Sequence, residues 1–184
     1  MLISEQIKKS HTFHNKIGHK LNKFQYQSSL KNNISAAYFD ISMEHHISIV
    51  TLINNSLYGS AFSLVRPLYE TYMRFLFLQT IDSENDIKKI SKGTFKFPTM
   101  EDMTILIDKE YNTDNFFNEL KSKSWKHMNS YTHSGDLQLG RRFTNDYIKP
   151  NYSNEEILEV LNNIDTLLSL FKIGFFKLLE SKNT

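Results

Sequence analysis

Apolar residues recur along this chain in steps of three and four, the spacing that lines one face of an α-helix. The pattern is cleanest towards the C-terminus, where Ile157, Leu161, Ile164, Leu168, Phe171, Phe175 and Leu178 follow one another in such steps. Ahead of them stands Ser153-Asn154-Glu155-Glu156, a capping box in which the Ser and Glu side chains satisfy otherwise orphaned backbone N–H groups. Together they predict a helix over 153–181. The same spacing at Ile3, Ile7, Ser10, His14, Ile17, Leu21 and Phe24 predicts a first helix, and Ile34, Tyr38, Ile41, His45, Ile49 and Leu52 a second. A third covers about 57–80 and contains "SAFSLVRPLYETYMRFLFLQ", ended by the polar stretch "DSENDIKK". Shorter helices are expected in "ENDIKKISKG", from Thr99 to about Tyr111, and from Thr113 to about Tyr131, where Gly135 is placed to end the helix in a left-handed conformation. Residues 136–152 read as a connection with one short helical turn.

Six Gly and three Pro are too few punctuation marks for a many-stranded sheet. The expected fold is therefore all-α, an antiparallel bundle of four long helices plus one or two short ones in a single domain, 1–184. With 40% hydrophobic and 13% aromatic residues, the chain can fill a substantial core. No Cys is present, which removes disulfides, thiolate nucleophiles and Cys-based zinc sites and suits a reducing compartment, so a cytoplasmic location is expected. Neither a signal-peptide core nor an uncharged apolar run of about 18 residues occurs, and no membrane association is expected. A net charge of +2 is too small for the whole surface to attract a polyanion, but 121–149 hold Lys121, Lys123, Lys126, Arg141, Arg142 and Lys149 against Asp136 and Asp146.

The third helix poses the chemical question. On a helical wheel Ser60, Ser63, Arg66, Pro67, Glu70, Thr71 and Arg74 share a strip of about 140° on an otherwise apolar element. Such a strip can be a narrow solvated face carrying i,i+4 ion pairs of about 0.2–0.5 kcal/mol each. It can equally be a site, because a guanidinium fixed by a carboxylate one turn away is pre-aimed at a phosphate or a second carboxylate. Pro67 inside the helix leaves the Ser63 carbonyl without its donor and implies a kink beside Arg66.

A second constellation is "SWKHMNSYTHSGD", where Trp125, His127, Tyr131 and His133 crowd a helix end. A histidine there can act as general acid or base near neutral pH, with Tyr131 positioning it or a substrate, or it can simply interact with the helix-terminal carbonyls. The other histidines, in His11-x2-His14-x4-His19 and Glu44-His45-His46, lack the spacing and acidic companions of a metal site and are assigned structural or surface roles. No Walker loop, G-x-G-x-x-G or G-x-S-x-G motif occurs, and neither metal nor cofactor is expected.

"SAFSLVRPLYETYMRF", followed some 60 residues later by "YTHSG", resembles a group of small bacterial proteins that look like members of the HEPN-like helical superfamily, which includes many toxin and phage-defence ribonucleases. The resemblance covers about 35–135 and implies metal-independent RNA cleavage by an Arg and a His on neighbouring helices, often from two subunits. Carried over by motif, Arg66 and Glu70 match the R-P-L-x-E element, and Tyr131 and His133 the Y-x-H element. The ribonuclease signature is an Arg, four to six intervening residues, then a His; here Lys126, with six residues between it and His133, is the nearest counterpart.

On this reading the catalytic set is Arg66, His133, Glu70 and Tyr131, and Arg74, Lys126, His127, Arg141 and Arg142 bind substrate. The expected partners are RNA or a nucleotide, a second copy in a homodimer, and an antitoxin or defence-complex subunit. The alternative is a non-catalytic helical subunit or anion-binding module of such a complex, with Arg66 and Glu70 as a polar clamp or as the anion site itself.

Overall fold

A computed structural model describes residues 2–144 and 147–180, the last by its backbone alone. Its helices are α1 (Ile3–Leu21), α2 (Leu30–Asn54), α3 (Tyr58–Ser63), α4 (Val65–Gln79), α5 (Glu84–Ser91), α6 (Met100–Tyr111), α7 (Phe116–Thr132), α8 (Asp136–Gly140) and α9 (Asn154–Glu180). An isolated antiparallel bridge, Phe143 to Ile148, is the extended pairing among the described residues. The fold is an all-α helical bundle.

α2 is central: it packs on α1, α4 and α9, and α4 in turn touches α6, α7 and α9. Phe39, Phe75, Phe171 and Phe175 are fully buried where α2, α4 and α9 meet, with the Phe39 and Phe175 rings stacked at 4.4 Å and those of Phe75 and Phe171 tilted by 40° at 4.5 Å. The Ser153 capping box forms as its sequence demands: Ser153 Oγ accepts from Glu156 N at 3.2 Å, and Glu156 Oε2 accepts from Ser153 N at 2.9 Å.

Three sequence expectations need correction. The predicted helix over 57–80 is two helices, broken at Leu64. Pro67 thus lies in the first turn of α4, where its missing N–H costs little, and produces no kink inside a continuous helix. The buried line of α2 is shifted by one position from the predicted one: Ser35, Phe39, Ser42, His46, Ile49 and Ile53 face inward, whereas Ile41 is 40% exposed. Small Ser side chains on that face let neighbouring helices approach closely, so hydrophobicity alone misplaces it.

The third correction concerns the end of α7. The left-handed residue is Ser134, at φ +53, while Gly135 is extended at φ −76, ψ −172. Glycine is needed at 135 for proximity: a Cβ there would stand 2.9 Å from Ser130 Oγ and 3.3 Å from Ser130 Cα. That hydroxyl accepts the Leu137 N–H at 2.9 Å. Gly135→Ala is therefore expected to displace the Ser130 hydroxyl and destabilise the fold by about 1 kcal/mol, the usual net value of one hydrogen bond, measured by urea denaturation; an unchanged midpoint would refute the packing argument.

Candidate functional site

α7 is set in place at both ends. At its start, Asp108 from α6 accepts the Phe117 and Asn118 N–H groups, each at 2.9 Å, satisfying donors that the helix cannot satisfy itself. At its finish, Thr132 Oγ1 lies 3.2 Å from the Ser63 carbonyl and 2.9 Å from that of Met128, sharing its one proton between them. Ser63 O is the carbonyl whose helical donor Pro67 removes. The proline thus frees an acceptor at the α3–α4 junction, and α7 is fastened to it.

The next residue after Thr132 is His133, and the contact brings it to Arg66 in the first turn of α4. Arg66 Nη1 donates to His133 Nε2 at 2.8 Å. A guanidinium has only donors, so the imidazole in this arrangement is neutral with its proton on Nδ1. Arg66 Nε donates to Glu70 Oε1 at 2.7 Å, one turn along the same helix. Its Cζ lies 4.5 Å from the centroid of the Trp125 ring, two turns before His133 on α7. Carboxylate on one edge, imidazole on the other and indole against the face define the guanidinium plane. The Arg66 side chain is 20% exposed, and His133 is exposed, so the pair remains reachable from solvent.

Arg74 extends the strip. Its Nη2 lies 3.7 Å from Glu70 Oε2, and its Cζ lies 5.0 Å from the Phe97 ring. Two guanidiniums therefore share one carboxylate, leaving the strip cationic; Arg66 alone stands in the first turn of α4, where the helix dipole also favours an anion.

Other sequence-selected residues lie elsewhere. Tyr131 turns to α3: its ring meets Phe62 edge-on at 5.2 Å, and its hydroxyl bonds Arg141 rather than Arg66 or His133. Arg141 is further paired with Glu156. Arg142 packs with Gln138 and Tyr152 around Gly59, where an added Cβ would meet all three at 3.1–3.2 Å. Lys126 and His127 are exposed on α7. The basic stretch 121–149 is partly neutralised, because Lys121 pairs with Glu101 at 3.0 Å and Lys123 with Glu119 at 3.3 Å. Thr132 is the site residue that the sequence patterns did not single out; Trp125, named there with His133, gains its role from spacing, since it stands eight residues, about two turns, ahead of His133.

A second polar cluster is buried between α1, α2 and α9. Asp165 Oδ2 accepts from Gln6 Nε2 at 2.9 Å and Ser10 Oγ at 2.8 Å, and its Oδ1 is 2.7 Å from His46 Nε2. His46 is completely buried, and the His14 ring lies parallel to it at 5.6 Å. Burial, reinforced by His46 and His11, holds the His14 pKa below its ordinary 6.5. The structural role expected for these histidines thereby becomes specific, since His46 helps to join three helices through one carboxylate and His14 stacks against it. Among the described residues no group of three or more His, Cys, Asp or Glu side chains is arranged to hold a metal ion.

With this geometry defined, comparison with known proteins adds one relationship. Residues 39–183 match a family of unknown function, DUF6988. The chain belongs to this family. No curated protein and no solved structure matches it. The part matched to DUF6988 contains both halves of the Arg66–His133 pair, Glu70, Trp125 and Thr132, whereas Gln6 and Ser10 of the buried cluster precede it. Among the described residues no helix is long and apolar enough to cross a membrane.

Proposed function

We propose that this DUF6988 protein is a HEPN-like, metal-independent ribonuclease of a toxin–antitoxin or phage-defence system. The observation that carries the reading is the 2.8 Å contact between Arg66 and His133, made across two helices by a guanidinium that Glu70 and Trp125 hold in one plane. An RNA phosphodiester entering this position would take over the Arg66 donors, because a phosphate oxygen is a better acceptor for a guanidinium than a neutral imidazole. His133 Nε2 is then released for proton transfer. In the reaction the ribose 2′-oxygen bonds to phosphorus as its proton leaves to the base, the bond from phosphorus to the 5′-oxygen breaks, and that oxygen regains a proton. The products are a 2′,3′-cyclic phosphate and a 5′-hydroxyl. Arg66 neutralises the charge that builds on the phosphoryl oxygens, Glu70 fixes Arg66, and Arg74 holds a flanking phosphate. The protein acts as a homodimer restrained by an antitoxin or another defence-complex subunit.

The test is incubation of the purified protein with RNA in the presence of EDTA. Cleavage to cyclic-phosphate ends is expected, with loss of that activity in His133→Ala at unchanged helical content by circular dichroism. Intact RNA after prolonged incubation with wild-type protein, together with no growth defect on expression, would sink the proposal. A second reading draws on the same contact: because His133 Nε2 is engaged by Arg66, the pair can serve as a non-catalytic anion site that binds a nucleotide within a defence complex. That version predicts thermal stabilisation by a phosphate-bearing ligand with no turnover.

A further inference from the structure

The chain leaves the Arg66–His133 site through α8 and doubles back between Arg141 and Asn151. Backbone hydrogen bonds join the two described arms: Asn151 N donates to Arg141 O at 2.8 Å, Lys149 N to Arg142 O at 3.0 Å, and Thr144 N to Tyr147 O at 3.0 Å. Its base is tied to α7 through Arg141 and Tyr131, two residues before His133, and to α9 through Arg141 and Glu156. What it presents is unusual for a surface ribbon. Phe143 is 56% exposed, Tyr147 70% and Ile148 81%. Phe143 and Ile148 face each other across the bridge, and Lys149 Nζ stands 6.0 Å from the Tyr147 ring. Among the described residues, neither Arg142 nor Lys149 takes part in an ion pair.

We infer that this ribbon is a docking strip for a single-stranded stretch of RNA, a conclusion that rests on the ribonuclease reading above and extends it to the form of the substrate. Exposed aromatic rings interleaved with cations provide what an unpaired strand offers to meet: faces for its bases and positive charge for its phosphates. A second copy fits poorly. A two-fold contact would set the strip against itself and bring its Arg142 and Lys149 charges together with those of the second copy. A lipid surface would require a broad apolar face, whereas here a cation stands beside the exposed ring of Tyr147. A duplex hides the base faces that the rings would stack on. The ribbon begins eight residues after His133 in the chain, beyond the end of α7 that carries it.

The test uses a fluorescent single-stranded RNA with 2′-O-methyl riboses, which cannot be cleaved through the 2′-oxygen, and reads binding to the full chain by anisotropy. Phe143→Ala combined with Tyr147→Ala is expected to weaken binding by about tenfold or more. Arg142→Gln with Lys149→Gln is expected to flatten its dependence on salt, and the matching duplex should bind more weakly than the single strand. Both pairs of side chains are exposed or half-exposed, and retained circular dichroism separates lost binding from lost folding. Equal affinity of wild type and the aromatic double variant would overturn the inference. So would a strip whose removal instead abolishes binding to phosphatidylglycerol vesicles or halves the mass in solution. Failure of His133→Ala to affect cleavage of ordinary RNA would remove the ribonuclease reading while leaving the binding result standing, so the two can fail separately.

Discussion

Replacing Arg66 with alanine is expected to lower RNA cleavage by about a thousandfold, and replacing it with lysine to recover little of that loss. The first figure follows from removing a preorganised donor to a developing oxyanion, which costs about 10²–10³ in rate, together with the loss of the group that orders His133. The second follows from shape. Arg66 uses Nε for Glu70, Nη1 for His133 and its flat face for Trp125, whereas an ammonium is a single point charge that cannot serve three directions. Stability should hardly change, because both members of the partly exposed Arg66–Glu70 pair can be solvated, and such pairs contribute at most about 1 kcal/mol. The measurement is a cleavage rate paired with a melting curve. If Arg66→Lys retained most of the activity, the fork geometry would be irrelevant and the mechanism wrong.

The largest effect on stability is expected at Asp165. Its carboxylate receives three donors from two other helices, so Asp165→Ala leaves Gln6, Ser10 and the fully buried His46 without their acceptor at once. Orphaning buried polar groups costs about 1–3 kcal/mol for each that water cannot reach. Asp165 itself is 20% exposed, so part of the loss is offset by solvent, and about 3 kcal/mol overall is a reasonable expectation. For a chain of this length that corresponds to a melting temperature lower by roughly 6–12 °C. The double replacement His46→Phe with Asp165→Leu removes donor and acceptor together and is expected to recover part of the loss. A drop of less than about 1 kcal/mol in Asp165→Ala would show that the cluster is solvated and holds nothing together.

The sequence makes some of this architecture readable and hides the rest for identifiable reasons. α9 is legible because its buried positions are large and apolar and its first turn carries its own capping box. α2 is misread by one position because Ser35, Ser42 and His46 occupy its buried face, and a hydrophobic ruler skips them. The break at Leu64 is invisible to periodicity, which continues through it; only Pro67 marks the place, and a proline is equally consistent with a kink or a fresh start. In the site, the Arg66–Glu70 pair follows from helical spacing alone. The meeting of Arg66 with His133 joins residues 67 apart in sequence and is foreshadowed only by the resemblance of two short motifs. Tyr131 shows the limit of that transfer: it shares a motif with His133, but two residues along a helix turn a side chain by about 200°, towards Arg141 and α3.

The Asp165 cluster also bears on how the chain reaches its native state. Gln6 and Asp165 are separated by 159 residues, so the carboxylate gains the Gln6 and Ser10 donors only after the first and last helices have found one another. Closing so long a loop carries a high entropic cost before any contact rewards it. Docking of α1 onto α9 is therefore expected late in folding, with the departure of α1 as the expected first step of unfolding.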